Sequence, residues 1–472
     1  MINGYPYFTC DNNVLKNAAL IATGDMAGNC LLYQNGLLEK EEVCIMAGLD
    51  YNKPWTRDTA INTMNAFAIA DKEVAYNTLR SVCCVENGVL RIGGQYWDCI
   101  IWAMGAYQYY MVNSDRDFLK FAHTVITNTL EIFEKEEFDA DFGLFCGPAV
   151  YGDGVSAYPD SYGVMEGLPG GILEWPAKNP NKKRDVGYGI PMKALSTNCV
   201  YFAAYKIAAI MSQKLGVDWG SFENKASALK NAINKHFWNE KNKNYDYVFD
   251  GEIRCDRMEA LGLSFAILTG VADDDKCEKV LKNTYVTDHG IACVWPAYDR
   301  YTKINERYKV SKTYDFGRHS GTIWPHGQGF WALANLKRDD KAGFEKELFT
   351  LAYKAVRDMQ FLEIYHPITG EPYGGLQEHG ANGMWLWKSR NKQTWSATAF
   401  WSMIYYGLFG LDFKEDFVSV TPLFPTGTTH MELKNLKIGN AVVNVVADKS
   451  SDAPHTVTIP KDLAGTHTFY VS

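Results

Sequence analysis

Long segments with apolar residues at helical spacing alternate along this chain with loops dense in Gly, Pro and aromatic residues. The spacing predicts helices near 13–21, 58–70, 72–83, 98–111, 116–135, 196–214, 219–237, 257–269, 274–283, 322–336, 341–361 and 394–408. Helices in pairs, with long loops falling regularly at one end, predict a mainly α fold: a barrel of helical hairpins whose site is built from those loops. The pattern changes after about Leu411, where "FVSVTPLFP", "MELKNLKIG", "AVVNVVAD", "HTVTIP" and "HTFYVS" are short alternating runs separated by turn residues. They predict a small C-terminal antiparallel β unit. No flexible linker separates it, so the expected division is a helical domain over 1–410 and a β unit over 411–472 packed on it. The absence of short repeats and heptads argues against a solenoid or coiled coil.

Four loops are chemically dense. In "YNKPWTRD", Thr56 and Asp58 are positioned to cap the helix that follows. A cap needs one small polar side chain, so Trp55 and Arg57 exceed what local structure demands. Arg57 and Asp58 can grip vicinal hydroxyls, one donating and one accepting, under a Trp55 ring face; a buried ion pair is the structural alternative. In "GGQYWDCIIW", Asp98 opens the next helix, as a cap or as a site residue beside Trp97. The segment 139–195 is long for a loop and too aromatic for disorder, and offers Asp153, Asp160, Glu166 and Glu174 as candidate acids. Spacing does not choose among them. "FLEIYHPITGEPYGGLQEHG" puts Glu363, Glu371 and Glu378 on a loop before the last helix, and "GRHSGTIWPHGQGFW" sets His319, Trp324 and His326 at a helix entrance. Two His without a clustered third ligand favour a sugar-facing or structural role over metal.

Composition narrows the partners. The 472 residues are 47% hydrophobic, enough for a large core. A net charge of -8 with mixed signs leaves no basic tract for a phosphate backbone, so nucleic acid is not expected. With 13 Trp and 28 Tyr, many beside polar groups, the loops suit sugars, although core packing explains most of these residues. The 11 Cys are scattered, which reads as buried thiols in a reducing compartment. No signal-like or membrane-spanning run occurs, so a cytoplasmic location, no membrane and no cofactor are expected.

These motifs resemble those of the (α/α)6-barrel inverting glycosidases. "PWTRD" resembles the "WTRD" or "WLRD" entrance of glucoamylases and glycogen-debranching glucosidase domains, where Arg and Asp hold the terminal glucose. "YWDCIIWAMGAYQYY", "GRHSGTIWPHGQGFWALA" and "HFWNEKNKNYDYVFDG" are similar to further debranching segments. "LEIYHPITGEP" followed by "QTWSATAF" looks like the glucoamylase and processing-glucosidase pattern that carries the catalytic base, which maps onto Glu363. The likeness runs in order from about Tyr51 to Leu411 and implies six inner and six outer helices. Two departures stand out: about 50 residues before "PWTRD" leave no room for the relatives' N-terminal β domain, and "VYGDGVSAYPD" keeps neither known acid motif, with Asp153 its best positional match.

The resemblance implies an exo-acting inverting glycoside hydrolase, α-glucosidase first, with Asp153 as general acid and Glu363 as general base. Tyr151, Tyr158 and Trp175 are expected to form an apolar wall that raises the acid's pKa. Trp55, Arg57, Asp58, Trp97, Asp98, His319, Trp324 and Trp395 are expected to bind the sugar, with no metal. The alternatives are an α-rhamnosidase or other exo-glycosidase, a glycoside phosphorylase, and a catalytically inert carbohydrate-binding protein. Retention of Glu363 argues against phosphorolysis.

Overall fold

A computed structural model describes residues 4–163, 170–301, 315–379 and 383–472. All twelve segments with helical spacing are helices: α1 (Asn13–Gly28), α2 (Thr56–Asn62), α3 (Lys72–Ser81), α4 (Trp102–Asn113), α5 (Arg116–Glu136), α6 (Leu195–Leu215), α7 (Gly220–Phe237), α8 (Ala260–Leu268), α9 (Asp274–Asn283), α10 (Pro325–Leu336), α11 (Lys341–Asp358) and α12 (Thr394–Ser402). Boundaries differ from the expected ones where other interactions take over the backbone. α1 runs past 21 to Gly28 because its buried face continues through Ala22 and Met26. α8 starts late because Met258 and Glu259 pair as a short strand with Trp295 and Val294. α11 stops early at Met359, which is left-handed with φ 53°. α2 and α12 continue through π-helical turns at Thr63–Phe67 and Met403–Leu408.

The helices fall into two classes that follow from their sequences. α2 and α12 are buried over every residue, and α6, α8 and α10 over most of theirs; apolar character all round drives this in α8, whereas α2 buries Arg57, Asp58 and Asn62 among its seven residues. α5, by contrast, buries one stripe, Phe118, Leu119, Ala122, Val125, Ile126, Leu130 and Phe133, and turns its charges outward. The buried helices neighbour one another in order, α2 on α4, α4 on α6, α6 on α8, α8 on α10, α10 on α12, and α12 also packs on α2. The striped helices lie against them: α7 on α6, α11 on α10, α5 on α4 and α6, and α1 on α12. Small residues permit the close approaches. A side chain at Gly105 would strike the Ala60 backbone, and one at Gly329 would meet Ala399 at 2.8 Å.

The C-terminal strands form a four-stranded sheet in the order β1 (Tyr7–Cys10), β2 (His430–Ile438), β3 (Asn440–Asp448), β4 (Ala464–Val471). The expectation of a purely antiparallel unit needs correction, because β3 and β4 run parallel. Between them the chain crosses to a second sheet, where Val457–Pro460 pairs with Phe417–Val420, and this crossover restores the direction. One edge of the four-stranded sheet, β1, comes from the other end of the chain. No helix among the described residues is long and apolar enough to cross a membrane.

Candidate active site

The N-terminal ends of α2, α10 and α12 meet the segments around 151–153, 318, 363 and 387–390, and enclose a cavity of about 230 Å³. Trp55, Arg57, Asp58, Asp153, Trp324, Glu363 and Trp395, all expected site residues, line it. So do Tyr51, Tyr151, Arg318, Trp387, Arg390 and Gln393. Of these, the sequence reading singles out only Tyr151, as part of an apolar wall.

Arg57 is buried, and its ion pair is with Asp98, at 3.1 Å, instead of Asp58; it also donates to the Val150 carbonyl at 3.0 Å. Adjacent residues on a helix point about 100° apart, so Arg57 and Asp58 diverge. Neither Thr56 nor Asp58 caps α2: Trp55 occupies the cap without a side-chain bond, and the Thr56 hydroxyl donates to the Gly93 carbonyl at 2.9 Å. Asp58 faces the cavity. Burial pushes its carboxyl up to about 7 against the pull of Arg57, and Glu363 and Asp153 add to the rise.

Three expected sugar contacts stand behind the cavity wall. Trp97 is fully buried and its indole N–H donates to the Ala149 carbonyl at 2.9 Å, four residues before Asp153. Asp98 makes no side-chain cap and is spent on Arg57. His319 stacks on Trp324 at 4.8 Å and 14°, with Nδ1 3.2 Å from the Ser156 hydroxyl. Burial takes His319 down to about 3, so the ring is neutral at pH 7.

Among the candidate acids of 139–195, Asp153 lines the cavity, with 47% of its side-chain surface open and Oδ1 3.7 Å from His319 Nε2. Asp160 is exposed and paired with Arg300, Glu174 is exposed on a short helical turn, and Glu166 lies outside the described residues. Glu371 and Glu378 are held by Arg357 and Arg300. The expected wall forms only in part. Tyr151 lines the cavity, Tyr158 accepts from the Ala149 N–H at 3.0 Å from within the loop, and Trp175 stacks on Tyr162 at 4.9 Å. The expected rise in the Asp153 pKa is also reversed. Burial raises it, but Arg57, His319 and Arg318 together hold the carboxyl below its ordinary range. With His319 neutral at pH 7, the two arginines carry that effect.

Glu363 is almost wholly enclosed. Its backbone N–H donates to the Arg390 carbonyl at 3.0 Å; Oε1 accepts from the Tyr51 hydroxyl at 2.7 Å and from Arg318 Nη2 at 3.4 Å. Oε2 is buried with no hydrogen-bond partner among the described residues. Successive residues of one turn, Arg318 and His319, thus reach Glu363 and Asp153 respectively. Arg318 and Tyr51 stand inside quoted motifs, and only attention to what a buried carboxylate needs as donors would have selected them. Among the described residues no cluster of three His, Cys, Asp or Glu side chains could hold a metal ion.

A family model, the mannosylglycerate hydrolase MGH1-like glycoside hydrolase domain, matches residues 99–396. The chain belongs to this family. It is therefore a glycoside hydrolase of the MGH1-like kind, within the six-hairpin superfamily that the motifs resemble. Solved structures similar in fold include a sialidase at TM-score 0.68 and 15% identity, matched over 97% of this chain and 40% of that one. A GH78 rhamnosidase of a Bacillus species matches at 0.56 and 13%, over 100% of this chain and 44% of that one. The GH63 mannosylglycerate hydrolase of Thermus thermophilus, in complex with glucose, matches at 0.58 and 13%, over 82% and 99%. The MGH1-like chain thus spans less than half the length of the first two. Comparison with curated proteins gives no match.

Proposed function

We propose that this glycoside hydrolase removes one terminal sugar with inversion, with Asp153 as proton donor and Glu363 as the base that activates water. The observation that carries the reading is the state of Glu363: one carboxylate oxygen is fixed by Tyr51 and Arg318, and the other is buried and unpaired, inside the cavity that also holds Asp153. An inverting pair needs such a base across the sugar from the acid, roughly 6.5–9.5 Å away, with water between base and ring. A cavity of about 230 Å³ lies below the roughly 300–1,000 Å³ usual for drug-sized ligands, which favours a single ring and exo attack. In the free enzyme Asp153 is ionised under Arg57 and Arg318. A bound sugar would seal its open face from water and raise its pKa, so the proton is acquired as the complex forms.

The finer fold reading is a closed (α/α)6 barrel with a C-terminal β unit. Its support is the cyclic order of the buried helices, α2 through α12 and back to α2. Glucose as the first sugar rests on the debranching and glucoamylase likeness, and the mannosylglycerate hydrolase crystallised with glucose is in keeping with it. Rhamnosides and mannosylglycerate belong in the test because structural neighbours carry those names. The experiment is proton NMR of the anomeric region during action on maltose, isomaltose, trehalose, maltotriose, a rhamnoside and mannosylglycerate, with Glu363→Gln alongside. Release of the inverted anomer from an α-glucoside, lost in the variant, is the expected result. Retained configuration, or full activity of the variant, refutes the assignment of Glu363.

A further inference from the structure

Arg300 lies outside the cavity and is 7% exposed, yet all five of its N–H donors are used. Nη1 donates to the Tyr158 carbonyl at 2.8 Å and to Asp160 at 3.0 Å; Nη2 donates to the Val155 carbonyl at 3.0 Å and to the Tyr301 hydroxyl at 2.9 Å; Nε donates to Glu378 at 3.1 Å. The Tyr301 hydroxyl in turn donates to the Glu378 carboxylate at 3.2 Å. Three of the five bonds therefore grip the loop that begins at Asp153.

That loop is shaped around these groups. A side chain at Gly163 would strike the Arg300 guanidinium, one at Gly152 the Tyr158 hydroxyl, and one at Gly154 the Gln377 amide. Of the glycines in "YGDGVSAYPDSYG", Gly163 makes room for the clamp itself, and Gly152 and Gly154 for the close fold of the loop on Tyr158 and Gln377. On its far side, Glu378 ends the short strand Leu376–Glu378. Leu376 accepts from the Arg318 N–H at 2.8 Å and donates to the Phe316 carbonyl at 2.8 Å, so the same strand holds the turn whose side chains reach Glu363 and Asp153.

We propose that Arg300 is a positioning residue: it locks the Asp153 loop to the strand that carries the Arg318 turn, and so fixes the donor against the leaving oxygen. This rests on the reading of Asp153 as proton donor. In hydrolysis of a glucoside, the Asp153 proton moves to the glycosidic oxygen as the bond from the anomeric carbon breaks. Water attacks that carbon from the other face and yields a proton to Glu363. With a glycosyl fluoride, fluoride departs without that proton, while water still needs Glu363. Misplacing the donor therefore damages one reaction and spares the other, which a general loss of folding does not do.

The test compares Arg300→Gln and Arg300→Lys with Asp153→Asn and Glu363→Gln, on maltose and on α-glucosyl fluoride, with backbone hydrogen exchange as a second readout. Arg300→Gln is expected to lose on the order of 100-fold in kcat on maltose, the scale of a misplacement of about 1 Å. On the fluoride it should stay within about threefold of the parent, because donor catalysis is not used there. Arg300→Lys should recover part of the loss, and exchange should rise within 150–163 in the Gln variant. Equal losses on both substrates by Arg300→Gln, with Asp153→Asn still selective, overturn the proposal alone, as does unchanged exchange in 150–163. Equal losses on both by Asp153→Asn overturn the donor reading and this proposal together. Absence of turnover on both substrates by the parent overturns the glucoside reading, and the exchange measurement then decides the clamp by itself.

Discussion

Glu259 gives a prediction whose size follows from the structure. It sits fully buried just before α8, with Oε2 accepting from the Ser196 N–H at 3.2 Å and Oε1 without a partner among the described residues. Burial pushes its carboxyl up to about 8, and the contacts to Ser196 offset only part of that rise from 4.5. The folded protein thus keeps a proton that the unfolded chain gives up above pH 4.5, so this residue's contribution to stability is whole below 4.5 and is lost progressively up to about 8. At about 1.4 kcal/mol per pH step across that window, the loss between about pH 5 and pH 8 is at most about 4 kcal/mol, an upper figure for a group this buried. Glu259→Gln keeps the acceptor for Ser196 and removes the titration. Urea unfolding of both proteins at pH 5, 6, 7 and 8 should show curves that nearly coincide at pH 5 and diverge in favour of the variant by pH 8. Other raised carboxyls, Asp25, Glu137 and Glu347, tilt both curves alike, so the difference isolates Glu259. Parallel curves across the range would refute the claim that Glu259 is held protonated.

Asp98→Asn should destabilise the fold more at pH 5 than at pH 8, because burial raises Asp98 from 3.8 to about 7, and the native residue's contribution is lost as pH rises through that window. Breaking such a buried pair costs about 3–5 kcal/mol, and an equal loss at both pH values would refute the raised state of Asp98. Tyr51→Phe removes the 2.7 Å bond to Glu363 and, if Glu363 is the base proposed above, should lower kcat by about 10- to 100-fold with little change in KM. Steady-state kinetics at the pH optimum decide it, and an unchanged kcat would mean that Arg318 alone orients the carboxylate.

The helices are readable because each buries a face or a whole surface, and that demand is written in every turn of sequence. Their ends are less readable. Glu259 is drawn into a strand pair with Val294, 35 positions on, and the parallel β3–β4 pair depends on a crossover between sheets. The same division holds in the site. Arg57, Asp58, Asp153, Glu363 and Trp395 stand in motifs and line the cavity, whereas the partner of Arg57 escapes a local reading because the ion pair to Asp98 spans 41 positions. Trp97 and His319 look from sequence like sugar contacts and serve instead as backing, one to the Ala149 segment and one to Trp324. Nothing local distinguishes an aromatic ring at the wall from one behind it.

Capping explains why the motif around Trp55 resists a local reading. Helices α1, α3, α5, α9 and α11 start from Asn12, Asp71, Asp115, Asp273 and Asp340, each accepting backbone N–H bonds of its first turn. Helices α2, α4, α6, α8, α10 and α12 carry no side-chain cap. Their N-terminal residues are engaged with one another and with the cavity: Arg57 with Asp98, the Val150 N–H with Ser196, the Ser196 N–H with Glu259, and Trp324 and Trp395 as walls. An uncapped N-terminus presents free N–H groups and the positive end of its dipole. Those of α2, α10 and α12 lie at the cavity and favour anionic groups there. At the entrances of α3, α5, α9 and α11 an Asp is a cap; in the first turn of α2, Asp58 caps nothing and faces the cavity.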